Sequence, residues 1–258
     1  MSDEFEPFES PLLLIGAAKE NLVKLKSACD SFVKNAGYKI MLQQDMKTGD
    51  AIIKAHMATA FPGQIRVIAS TIINDLRHAL DQAVCDGALI LGASNSKNIY
   101  FPFAKDLADF NVVLKDKCRK VRPDLVDFIK NFNPYFGGDN LLWALNKLAG
   151  INKHQRIVSI AVNPNSIIEI QRAFWGRNIK TLVINKWNDR KNELEVIRVN
   201  SVGDMEVNFS FRLDLEIVMG KADIVSGQPA IAILNTFVSK AESIVLGIKA
   251  ESERLLRI

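Results

Sequence analysis

The segment from Pro62-Gly63 to about Leu91 constrains the fold most. Stepping roughly 100° per residue from Ile65, Ile65, Ile68, Ile72, Leu76, Ala79 and Ala83 fall on one stripe, and Ile73, Leu80 and Val84 widen it. A helix with so broad an apolar face has to sit inside a bundle rather than on its surface. Roughly opposite the stripe lie Asn74, Arg77 and Asp81, with Ser70 beside them and His78 flanking. Their spacing of three and four gives them one face. Left in water, that face carries an Arg77–Asp81 pair worth roughly 0.3–0.5 kcal/mol. Covered by other elements, it becomes a buried polar network in which every group needs a partner. The sequence leaves both readings open.

The rest of the first half is also mainly helical. Leu14, Ala18, Leu22, Leu25, Cys29 and Phe32 give the stripe of a helix from about Pro11 to Asn35, which Gly37 can end. The stretch 38–58 reads as extended on both sides of Lys47-Thr48-Gly49-Asp50, a hairpin signal. The alanines of 51–60 leave a helical alternative there. Phe101-Pro102-Phe103 is a rigid extended patch. Short helices are expected at Leu107–Lys120 and Pro123–Asn131. A further one, carrying Leu141, Leu142, Leu145 and Leu148, starts after Gly137-Gly138 with Asp139 or Asn140 as its cap.

Beyond His154 the period moves from helical towards two. Strands are expected at Ile157–Val162, Ile167–Arg172, Lys180–Lys186 and Glu193–Val199, with turns at Asn163-Pro164-Asn165 and Asn188-Asp189. From Val207 to Ile217 every odd residue is apolar and every even one polar, the pattern of an antiparallel strand with its odd residues on a core. Ser226-Gly227-Gln228-Pro229 then opens a terminal helix carrying Ile231, Leu234, Val238, Ala241, Val245, Ile248 and Leu255. The expected fold is α+β in one domain, 1–258. Residues 11–156 form its mainly helical part, with the hairpin near 38–58. Residues 157–258 form an antiparallel sheet and a long C-terminal helix.

With 48% hydrophobic and 24% charged residues, the chain is excluded from the disordered and low-complexity classes. A net charge of +4 is too small to mark a dedicated nucleic-acid binder. The one dense basic stretch, Lys115, Lys117, Arg119, Lys120 and Arg122, is either a solvated helix face or an anion-contacting ridge. Cys29, Cys85 and Cys118 are scattered and odd in number, so free thiols, no disulfide and a cytoplasmic location are expected. No metal-ligand spacing links the three histidines, and no metal or cofactor is expected. No apolar run approaches the roughly 18 residues of a membrane span.

A second polar cluster, Asn152-Lys153-His154-Gln155-Arg156, stands where helix gives way to strand. Its cations suit a helix C-terminus. They also suit chemistry, with His154 as acid–base or ligand group and Lys153 or Arg156 holding an anion. If the bundle packs the second helix against Leu141–Leu148, Arg77 or Asp81 comes within about 6 Å, one bridging water, of His154 or Asn152. The candidate ligand-binding residues are therefore Asn74, Arg77, Asp81, Asn152, Lys153, His154 and Arg156, with a small anionic ligand, a nucleotide or RNA as the partner.

Asn74-Asp75-Leu76-Arg77-His78-Ala79-Leu80-Asp81, then Phe101-Pro102-Phe103, then Leu141-Leu142-Trp143-Ala144-Leu145-Asn146-Lys147-Leu148 running into Asn152–Arg156, resemble an uncharacterised bacterial family. Its pattern is NLRxALDH, FPI and LWxLxxLNxIDKHR, in the same order over about residues 65–160. The resemblance implies no activity. The Arg-x4-His part is also similar to HEPN-type helical ribonucleases, in which Arg and His on one helix act on RNA phosphates. Gln82 stands where that His would be, so the implied ribonuclease would need His154 from another helix. A protein with no ligand site is the remaining alternative.

Overall fold

The structure, a computed structural model, describes residues 6–35, 38–57, 59–154, 160–165, 181–188, 193–199, 214–219 and 223–258. Helix α1 is Glu9–Asn35, and strands β1 (Tyr38–Gln44) and β2 (Ala51–Met57) follow. Helices α2 (Gly63–Ile90), α3 (Leu107–Lys117), α4 (Pro123–Lys130) and α5 (Asn140–His154) come next. Strands β3 (Ile160–Asn165), β4 (Thr181–Asn188), β5 (Glu193–Val199) and β6 (Asp214–Met219), a short 3-10 turn at Asp223–Val225 and helix α6 (Ala230–Leu255) complete the order. The α+β class follows directly.

The chain divides into two compact units, both discontinuous in sequence. One holds Met1–Lys26, Gln64–Ser159 and Met219–Ile258; the other holds Ser27–Gly63 and Ile160–Val218.

In the first unit α2 is the core helix. Ile65, Ile72, Ile73, Leu76, Ala79, Leu80, Ala83 and Val84 are all buried, and Ile68 is half-buried, which matches the broad stripe. The helix stops in a Schellman arrangement. Gly92, at φ +94°, donates to Leu89 O (3.0 Å) and Ala93 N donates to Ala88 O (2.9 Å). Helix α6 meets α2 at Gly87 and is buried along Leu234, Val238, Ala241, Val245, Ile248 and Leu255, widened by Ile233, Phe237 and Ile244. Of the stripe read from sequence only Ile231 stays half-exposed. Helix α6 is long and apolar enough to cross a membrane by length and composition, with a window mean hydropathy of 1.5. That departs from the expectation of no such run, and the helix lies in the core of this unit.

The closest approach of α2 to α6 is at Gly87. A Cβ there would stand 2.8 Å from Ser252 Oγ and 3.0 Å from Leu125 Cδ2. A glycine inside a helix costs about 1 kcal/mol relative to alanine. Here its absent side chain admits α6 and α4 to the α2 backbone. Ser252 itself is fully buried and its hydroxyl has no partner.

The head of α1 also belongs to this unit. Phe8 sits at φ +68° with its ring 1% exposed. Its N–H donates to Asp86 Oδ2 at 2.8 Å, so a carboxylate on α2 serves where a capping side chain would act. Burial pushes the Asp86 carboxyl above the ordinary range. Ser10 Oγ adds a bond to Gln82 Oε1 at 2.7 Å.

In the second unit a four-stranded antiparallel sheet has the order β1-β2-β5-β4, and β3 pairs with β6 apart from it. The hairpin at 38–58 exists, so the helical alternative for 51–60 is overturned. Its turn closes through Asp45 N to Asp50 O and Gly49 N to Asp45 O, both 2.8 Å, with Gly49 at φ +76°. The pairing with β5 shifts register between Ile53 and Lys54, with Val196 of β5 as the extra residue, while β2 stays regular against β1: Ile53, Ala55 and Met57 alternate into one core face, and Ile52 is buried as well. The core here uses Ile53, Ala55, Met57, Leu194 and Val196. Asn163-Pro164-Asn165, expected as a turn, lies inside β3. The expected strand at Ile167–Arg172 and most of Val207–Ile217 lie outside the described residues; Ile217 is buried, and so are Val218 and Met219.

Cys29, Cys85 and Cys118 are free thiols. Burial pushes their pKa values up to about 11, 11 and 12. Such thiols are poor nucleophiles near neutral pH.

Candidate functional site

The polar stripe of α2 is covered. Arg77 and Asp81 form an ion pair with side chains only 20% and 19% exposed, which removes the solvated-face reading. The cover is the segment Ile99–Ala104, buried except at Tyr100. Its extended backbone, fixed around Pro102, leaves donors and acceptors that no strand satisfies. Backbone carbonyls outside the segment take Tyr100 N (Lys117 O, 3.4 Å) and Ala104 N (Pro134 O, 3.1 Å), and side chains of α2 take two further groups. Asp81 Oδ1 accepts from Phe101 N at 2.9 Å, and Cys85 Sγ donates to Ile99 O at 3.3 Å. Asp81 therefore spends one oxygen on the loop and the other on Arg77.

Arg77 is held from three directions. Nε donates to Asn146 Oδ1 on α5 at 3.0 Å. Nη1 faces Asp81 Oδ2 as a charge contact outside aligned hydrogen-bond geometry. The guanidinium plane lies over the Phe103 ring, 4.4 Å from its centroid. Phe103 in turn packs on Phe101 (centroids 4.8 Å), and Phe101 on Phe132 of the segment after α4 (6.2 Å). Residues 74–81, 101–103 and 141–148 thus meet at one place, with Arg77 at the centre.

Of the sequence candidates, the structure brings Arg77 and Asp81 together. Asn74 is half-buried on the same helix without a hydrogen bond to a described side chain. Helix α5 extends to His154, eight residues or about 12 Å of axial rise beyond Asn146. The side chains of Asn152, Lys153 and His154, and the whole of Arg156, lie outside the described residues, and so does their expected approach to Arg77. Asn146, the partner of Arg77, was missed. Its signal is a single amide next to the apolar stripe of α5, where Leu142, Ala144, Leu145 and Leu148 are buried.

Two other places with donors for an anion are engaged, wholly or in part, by the protein itself. The N-terminus of α5 after Gly137-Gly138 is occupied by its own cap, because Asp139 Oδ1 accepts from Leu141 N (3.1 Å) and Leu142 N (3.0 Å). Asp139 is also paired with Lys240 of α6. In the basic stretch, Lys120 donates to Asn95 Oδ1 (2.5 Å) and Lys97 O (3.0 Å), and Arg122 caps α6 through Leu255 O (3.0 Å). Lys117 pairs with Asp116 at 2.9 Å. Three of the five cations thus have protein partners. Gln82, at the position of the HEPN histidine, accepts from Ser10.

A second network, unread from sequence, lies in the sheet unit. Arg198 Nη1 donates to Asp45 Oδ2 (2.7 Å) and Asp50 Oδ2 (3.2 Å), and Nε donates to Glu195 Oε1 (2.9 Å). Three carboxylates surround one guanidinium, which ties the β1–β2 turn to β5. The bond from Arg198 holds the Asp45 carboxyl below the usual range.

Among the described residues no group of three or more His, Cys, Asp and Glu side chains is placed to hold a metal ion. Comparison with protein-family models, with curated proteins and with solved structures found no match to this chain.

Proposed function

We propose that this chain is a binding protein for a small anionic ligand or nucleotide, with Arg77 as the oriented donor of the site. Lys153, His154 and Arg156, at and beyond the end of α5, supply the remaining positive charge. One observation carries the reading: the Arg77 guanidinium is fixed by Asn146, Asp81 and Phe103 before any ligand arrives. A side chain already held in one rotamer loses little entropy on binding. With Nε given to Asn146 and Nη1 facing Asp81, Nη2 is the donor that remains for an oxygen of a phosphate or carboxylate. Because Asp81 neutralises Arg77, the pair contributes direction and the cations at the end of α5 contribute charge.

The test is calorimetric titration with inorganic phosphate and with a nucleoside monophosphate. Saturable binding is expected for the unaltered chain. It should fall at least about tenfold in Arg77→Lys, which keeps the charge and loses the fork, and in Lys153→Ala. Binding that ignores all of these positions overturns the proposal. Cleavage of RNA by the unaltered chain, abolished in both Arg77→Ala and His154→Ala, would establish the ribonuclease reading in its place. Neither binding nor cleavage would leave Arg77 as a clamp between α2, α5 and the Phe101–Phe103 segment.

A further inference from the structure

Strand β1 pairs with β2 along one edge, and among the described residues no strand occupies its other edge. Such edges are ordinarily blunted by proline, a bulge or several charges. Strand β1 carries one lysine and no proline, and its register with β2 is regular from Tyr38↔Met57 to Gln44↔Ala51. Leu42 is 62% exposed and Met41 41%, and Met46 in the following turn is 92% exposed. Lys39, Gln43 and Gln44 are exposed as well.

The charges along this edge are polar in the geometric sense. Lys39 stands near its beginning. At its far end Asp45, Asp50 and Glu195 surround Arg198, and with Lys47 of the turn counted that end keeps a net charge of about one negative unit. A second copy of the same edge, laid antiparallel, sets each positive end against the other's negative end. A parallel copy would set lysine on lysine.

We propose that β1 is a homodimer interface in which two copies pair antiparallel about a two-fold axis at Met41, so that each four-stranded sheet continues into the other. In this register Met41 faces Met41, Ile40 faces Leu42 and Lys39 faces Gln43. Lys39 then has Asp45 of the other copy as its diagonal neighbour on the same face, within reach of its long side chain. No like charges meet, and the interface is self-complementary, as a two-fold contact must be. The reading is independent of any ligand at Arg77.

The experiment is sedimentation equilibrium of the full chain over a concentration series, with an oxidative cross-linking arm. The unaltered chain is expected to self-associate as a dimer, more weakly at high salt. Met41→Lys, which places two lysines on the axis, should weaken association at least about tenfold with an unchanged circular dichroism spectrum. Met41→Cys should give a reducible dimer under mild oxidation, since facing residues of an antiparallel pair have Cα atoms about 4.5–5.5 Å apart. Lys39→Cys, which faces Gln43, should not, and the unaltered chain controls for the native thiols. An unaltered chain that stays monomeric overturns the proposal. So does a dimer that survives Met41→Lys or fails to cross-link through position 41.

Discussion

Replacing Gly87 by alanine sets two known effects against each other at one atom. In a helix interior the change is favourable by about 1 kcal/mol. At this position the new methyl would stand 2.8 Å from Ser252 Oγ, 3.0 Å from Leu125 Cδ2 and 3.3 Å from Ile248 Cγ2. Real Cβ atoms do not sit that close to a neighbour, and all three neighbours are buried. Overpacking of this kind costs about 1–3 kcal/mol. The net expectation is a loss of about 1 kcal/mol, or about 2–4 °C in the melting midpoint for a chain of this size. The closest clash is with a hydroxyl that has no hydrogen-bond partner, so Ser252→Ala alone should be neutral or stabilising by up to about 1 kcal/mol. The double variant should recover more than the sum of the two, with a coupling of at least about 0.5 kcal/mol. Thermal and urea unfolding of the four proteins measures this. A Gly87→Ala variant as stable as the parent, or zero coupling with Ser252, would refute the close-approach argument.

Other expectations follow from the same contacts. The carboxyl of Asp86 is raised by burial, so its contribution to stability is greatest below the unfolded range near pH 4 and is lost as pH rises through its folded value. Asp86→Asn keeps the acceptor for Phe8 N–H; its stability relative to the parent should therefore increase from acidic to neutral pH in urea unfolding, and a pH-independent difference would count against a buried charge there. Asn146→Ala should cost about 1 kcal/mol, the worth of one hydrogen bond, while Arg77→Ala, which leaves Asp81 unpaired and largely buried, should cost about 1–3 kcal/mol. The reverse order in denaturant melts would mean that Asp81 is not held by Arg77. Thiol titration of the native chain near neutral pH should find all three cysteines slow, and become rapid only on unfolding.

What the sequence made legible was whatever repeats locally. The α2 stripe repeats over several turns, so each residue confirms the others, and the same holds for α6. The hairpin was legible because Thr48-Gly49-Asp50 needs a left-handed glycine at a fixed offset. Pairing across the chain leaves no such trace: nothing in Ala51–Met57 states that its second neighbour is Glu193–Val199. The site divides in the same way. Arg77 and Asp81 were visible as one helix face. Asn146 and the Phe101 amide were not, because one amide side chain and one backbone N–H become partners only when three separate elements converge. Pro164 misled because a proline between asparagines reads alike in a turn and near the end of a strand.

The nesting of the two units has a consequence during synthesis. The apolar face of α2 is complete once residue 90 has emerged, but α6, which covers Gly87, begins only at residue 230. At ~5–20 residues per second the ribosome takes on the order of ten to thirty seconds to deliver the missing partner. For that interval the Gly87 patch of α2 has only the earlier-made α4, through Leu125, as cover, while the β1–β2 hairpin waits for β5 in the same way. Each unit is thus completed by a segment made long after the element it meets.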